Sequence, residues 1–137
     1  MLYKEFYSEL GKLLYAVADI DKVITPEEKK TLQEMVRNEL VPFEKHKDGF
    51  GTNTAWYSEM EFDFLDEAIA DTDAAFNSFI DFVNEHHTAF DERMKNACLH
   101  VARELANAYR KTNRKEKALL TELKQKIEKI NVKVATA

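Results

Sequence analysis

Little in this chain staples, bends or anchors it. A single cysteine, Cys98, excludes an internal disulfide framework and fits a reducing compartment. Three glycines and two prolines are too few turn-makers for a sandwich or barrel of many short strands. No stretch of any length alternates strictly between apolar and polar residues, so no sheet is predicted. The longest unbroken apolar run, residues 13–18, falls far short of the roughly 20 residues that span a bilayer. The first residues lack the basic segment and apolar core of a secretory signal. Glycine-rich phosphate loops, nucleophile elbows and zinc-finger spacings are missing as well. These absences predict a soluble, cytoplasmic, all-α protein in which no motif declares a reaction.

What the chain has instead is charge, unevenly placed. Its net charge is −5, yet residues 91–137 hold twelve Lys/Arg against six Asp/Glu, a net of +6. Residues 1–90 hold eight against nineteen, a net of −11. An acidic body and a basic tail attract one another within a single fold. Nucleic acid is not an expected partner, because the acidic portion repels phosphate wherever salt does not screen it. With 137 residues, 45% of them hydrophobic, residues 1–137 make one domain with a real core.

Apolar spacing divides the chain into about six helices. The first runs from about Leu2 to Asp19, gathering Leu2, Phe6, Leu10, Leu13, Leu14 and Val17 on one face, with Tyr3 and Tyr7 widening it. Thr25-Pro26-Glu27-Glu28 opens the second: Thr25 as N-cap, Pro26 in the first turn, Glu28 closing a capping box. That helix carries Leu32, Met35, Val36 and Leu40 inward and stops before Pro42. Residues 43–54 read as a loop. A third helix, about 54–70, shows Trp56, Met60, Phe64 and Ala68 four apart, an apparent core stripe broadened by Phe62, Leu65 and Ile69. A fourth begins near Asp73 with Phe76, Phe79, Ile80, Val83 and Phe90 on one side. Asp91 caps a fifth, whose inward set is Met94, Ala97, Cys98, Val101, Leu105, Ala108 and Tyr109. Asn113 and Glu116 make a second capping box for the last, with Leu119, Leu120, Leu123, Ile127 and Ile130 inward.

An offset of 88 residues lays the last hairpin on the first. It places Leu10 on Cys98, Leu13 on Val101, Val17 on Leu105, Ala18 on Ala106 and Thr25 on Asn113. Glu28 then falls on Glu116, Leu32 on Leu120 and Met35 on Leu123. Because the caps coincide along with the core positions, the pattern reads as a duplicated hairpin. The corner itself, Ala18-x-x-Asp21-x-x-Ile24-Thr25-Pro26-Glu27-Glu28, resembles the tellurite-resistance TerB-like family of bacterial all-helical domains. Phe50-Gly51-Thr52 ahead of an acidic, aromatic helix is similar to a subset of those proteins. The resemblance covers most of the chain as architecture, while its specific residues lie in 21–28. It implies a TerB-like helical bundle, metal-ion binding by acidic residues, and a part in membrane-linked stress responses, with peripheral membrane association among the expectations. The chain departs from the pattern at Lys22, where the family has Gly, and at Tyr109, where the second copy lacks its acid.

Two acidic groups are the candidate cation sites. Asp19, Asp21, Glu27 and Glu28 offer the hard oxygen ligands that Ca²⁺ or Mg²⁺ requires, although Glu28 is also the capping residue. Glu59, Asp63, Asp66 and Glu67 line one helix face, suited to a cation or a basic protein partner, or else simply solvated. A basic corner of Arg110, Lys111, Arg114, Lys115 and Lys117 is a candidate surface for an acidic partner or an anionic membrane. Glu61 projects among Tyr57, Phe64 and Leu65, and an ion pair with the basic tail is its expected satisfaction. Adjacent His86 and His87 diverge by about 100° on a helix, too far to share one metal. Cys98 reads as a small core hydrophobe. The leading expectation is a non-enzymatic binding module engaging a divalent cation or a protein partner. The alternatives are a small metal-dependent hydrolase using Asp21 or the Glu59/Asp63 pair, and a purely structural interaction domain.

Overall fold

A computed structural model describes residues 3–20, 24–40, 56–88, 90–107 and 114–136. Among them are six α-helices: α1 (Tyr3–Asp19), α2 (Pro26–Met35), α3 (Trp56–Ala68), α4 (Thr72–Glu85), α5 (Glu92–Ala106) and α6 (Arg114–Thr136). The described residues hold no strand, as the sequence predicts. No helix among them is long and apolar enough to cross a membrane.

Local chemistry sets three of the helix starts. Thr25 Oγ1 accepts from the Glu28 amide at 3.1 Å, and Glu28 Oε1 accepts from the Thr25 amide at 3.0 Å, completing the expected capping box. Asp91 caps α5 by accepting from the Met94 amide at 2.9 Å. Asp71 does the same for α4 through the Ala74 amide, so that helix begins slightly earlier than Asp73. At Val36, α2 passes into a π-helical turn that runs to Leu40. The loop expected over residues 43–54 lies outside the described residues, as do Leu2, Ala108, Tyr109 and Asn113.

Helix α1 is the hub and packs against α3, α4, α5 and α6. Phe6, Tyr7, Leu10, Leu13, Leu14 and Val17 of its expected apolar face are buried, and Tyr15, Ala16 and Ala18 on the other sides are buried too. A helix buried on every side over its second half, residues 13–18, is there a core helix rather than a surface one. Phe76, Phe79, Ile80 and Val83 of α4 and Cys98, Val101 and Leu105 of α5 close around it. Phe90 lies beyond the end of α4 but is buried, its ring edge-on to Phe79 at 6.5 Å.

One helix meets the hub by a different face from the one the sequence suggests. In α3 the expected inward set divides: Trp56 and Leu65 pack against the core, but Met60 is 51% exposed, Phe64 64%, and Ala68 is exposed as well. The buried members are Ser58 and Phe62. The reason lies on α1. A Cβ built on Gly11 would strike the Ser58 carbonyl oxygen and come within 3.0 Å of Glu61 Cβ, so the two backbones meet at the glycine. Ser58 Oγ donates to the Tyr7 carbonyl at 2.7 Å across that seam, satisfying its own hydroxyl in the core. A small residue facing a small residue outweighs the larger Met60 and Phe64 on the opposite side of α3.

Candidate functional site

The corner between α1 and α2 commits its acids to structure. Glu28 is buried and held in the capping box. Asp19 Oδ2 accepts from the Thr72 hydroxyl at 2.7 Å, which ties the end of α1 to the start of α4. Glu27 is exposed, and Asp21 lies outside the described residues. Among the described residues no group of three or more His, Cys, Asp or Glu side chains is placed to hold a metal ion.

The acidic row of α3 turns one flank toward α2 rather than lying wholly in solvent. Lys29 Nζ pairs with Asp66 Oδ2 at 2.7 Å, and that hydrogen bond holds the ammonium above its ordinary lysine value. Partial burial raises the Glu59 carboxyl, as does the neighbouring Asp63, against the opposing pull of Arg37. Burial likewise raises Asp63, with Lys29 opposing and Asp66 and Glu67 reinforcing. Glu67 is exposed. Beneath the row, Tyr15 Oη donates to the Ala70 carbonyl at 2.7 Å. Burial, together with the nearby Asp19, pushes its phenol up to about 12.

Beside these acids runs the exposed apolar stripe. On a helical wheel Met60, Phe64 and Ala68 sit between Asp63 and Glu67 on one side and Glu61 on the other. Half-buried Trp56 lies one turn before Met60. At the far end Ile69 is 87% exposed and holds φ at +51°, where a β-branched side chain is strained. It occupies the C′ position of a Schellman motif: Ile69 N–H donates to Asp66 O at 3.2 Å and Ala70 N–H to Leu65 O at 3.0 Å. Glycine or asparagine is the usual residue there.

The remaining expected positions scatter. Arg114 and Lys115 are exposed at the start of α6, while Arg110 and Lys111 lie outside the described residues. Glu61 is half-buried against Gly11, and no ion pair joins it to the basic tail among the described residues. His87 Nδ1 lies 3.0 Å from the Asn84 carbonyl, and the His86 ring packs on Phe82 at 4.6 Å, so the two diverge as expected. Cys98 is enclosed in the core, and burial pushes its thiol up, away from reactivity. Sequence reasoning missed Lys95, which is 2% exposed. Its spacing of three from Cys98 and seven from Ala102, both buried, is the one signal that marks the position as inward. Comparison with protein-family models, with curated proteins and with solved structures returns no match to this chain.

Proposed function

We propose that this chain is a non-enzymatic, TerB-like binding module whose helix α3 engages a basic, amphipathic segment of a partner protein. The observation that carries this reading is the acid-flanked apolar stripe Met60–Phe64, more than half exposed on a helix whose other side is buried. Exposed apolar side chains rimmed by charge are a mark of interaction surfaces. Two features of α3 weigh against stability without serving the core: the outward Phe64 and the strained Ile69. Stability given up at one surface is what a binding role predicts. Glu59, Asp63 and Glu67 supply the complement to Lys and Arg, and the stripe supplies the complement to an apolar helix face.

Of the duplicated hairpin, the matched burial across the 88-residue offset supports the family reading, while α1 packs on α3, α4 and α5 rather than along α2. Leu10 and Cys98, Leu13 and Val101, Val17 and Leu105, and Met35 and Leu123 are buried pairwise, as are Glu28 and Glu116. The cation part finds none among the described residues, since Asp19 and Glu28 serve hydrogen bonds within the fold. Calorimetry with Ca²⁺ and Mg²⁺, on the protein and on Asp21→Ala, tests that part separately.

Trp56 is the chain's single tryptophan and borders the stripe, so its emission reports on occupancy. Titration with a synthetic Lys/Leu amphipathic helix should give a saturable shift that weakens with added salt. A Glu/Leu helix of the same length should give none. Equal responses to both peptides, or no response to either, contradict the proposal.

A further inference from the structure

Helices α5 and α6 line a second feature, an open cavity of about 410 Å³, away from the α3 stripe. Lys95 and Arg103 of α5 and Lys124 of α6 line it, with Glu92 and Glu128 as counter-charges, leaving one formal positive charge in excess. Leu99 and Ile127 add apolar wall. The volume lies at the small end of the range, roughly 300–1,000 Å³, in which proteins hold small molecules.

Lys95 gives the cavity its chemistry. The residue is 2% exposed, and its Nζ finds no hydrogen-bond acceptor. The carboxylate paired with it, Glu92 Oε1, stands 3.7 Å away on a side chain that is 70% exposed. That separation is beyond hydrogen-bond length. Burying an ammonium with three unmet donors is unfavourable for folding, and a core leucine or methionine would fit the position at no such cost. An acceptor bearing negative charge would satisfy that ammonium. Lys95 lines the cavity, and its ammonium sits on a flexible four-carbon stem.

We propose that this cavity binds a small molecule bearing an oxyanion, carboxylate or phosphate, whose oxygens accept from Lys95 while its apolar body rests on Leu99 and Ile127. Arg103 and Lys124 add attraction at the cavity wall, and Glu92 and Glu128 limit the site to low anionic charge. The site is independent of the α3 surface, and neither reading depends on the other.

The test is an NMR titration of the full chain, labelled with ¹³C at lysine, using hexanoate and inorganic phosphate as separate probes. The Lys95 Cε resonance, assigned by its disappearance in Lys95→Met, should shift saturably with at least one probe. Saturation by hexanoate alone marks a carboxylate ligand with an apolar tail, and saturation by phosphate alone marks a phosphate ligand. Lys95→Met should lower affinity by about tenfold or more, as loss of a charge-assisted hydrogen bond predicts. Arg103 is exposed, so Arg103→Gln should fold normally and weaken binding by a smaller factor, which keeps the test decisive if Lys95→Met is poorly folded. The absence of a saturable shift with both probes overturns the proposal and leaves water as the partner of Lys95. Wild-type affinity in both variants overturns it equally.

Discussion

Helices α1 and α3 share one seam and have opposite relations to solvent. From Leu13 to Ala18 every residue of α1 is buried, whereas α3 buries only Ser58 and Phe62 and leaves Met60 and Phe64 in water. The difference does not follow from hydrophobicity, since α3 holds more large aromatics than it buries. It follows from shape. Where Gly11 admits the Ser58 backbone, close approach and a buried hydrogen bond decide which face turns inward. The apolar residues left on the other side are then free for a role outside the fold.

The sharpest way to break this comparison is to truncate two phenylalanines that stand two residues apart. Phe62→Ala should cost about 3–5 kcal/mol, as loss of a fully buried ring does. Phe64→Ala should stay within about 0.5 kcal/mol, as for an exposed position. Urea denaturation of both variants measures the gap, and equal losses would mean the faces are assigned wrongly.

Gly11→Ala tests the seam itself. Helix propensity alone would favour alanine by about 1 kcal/mol. The clash with the Ser58 carbonyl should reverse that into a net loss of about 1–3 kcal/mol. A variant as stable as the parent would show that the helices do not meet there.

Tyr15→Phe removes the 2.7 Å bond to the Ala70 carbonyl and should cost about 1 kcal/mol. The pH dependence follows from the raised phenol. The folded state keeps its proton up to about 12, while the unfolded chain releases it near 10.0. Stability from this group is therefore complete below pH 10.0 and declines toward pH 12. Thermal melts across that window should show a shallower decline in Tyr15→Phe than in the parent.

The smallest change should be a gain. Ile69→Gly relieves the positive φ and should raise stability by about 0.5–1 kcal/mol, offset in part by the greater freedom of glycine in the unfolded chain. A loss of stability would place Ile69 in a contact that its exposure does not suggest.

What could be read from the sequence was local. The Thr25–Glu28 box and the Asp91 cap form between residues three apart, so both partners are visible in one short window. The face of α3 was not legible, because it is decided by a glycine 47 positions upstream of Ser58 that carries no apolar signal. Periodicity weighs side chains by hydrophobicity and therefore chose the outward stripe. The same limit hid Asp66–Lys29 and Asp19–Thr72, both of which join segments far apart in the chain. Of the candidate acids, Glu28 could be assigned to capping from sequence alone, since the box names its own partner. Lys95 escaped notice because lysine is almost never fully buried without a partner.

The central claim is that the outward face of α3 serves a partner rather than the fold, and Phe64→Ser tests it most directly when stability and binding are measured on one sample. The account predicts a melting temperature matching the parent, with the affinity for a Lys/Leu amphipathic helix reduced tenfold or more, about 1.4 kcal/mol. A variant that melts many degrees lower, or that binds the peptide as tightly as the parent does, would contradict it.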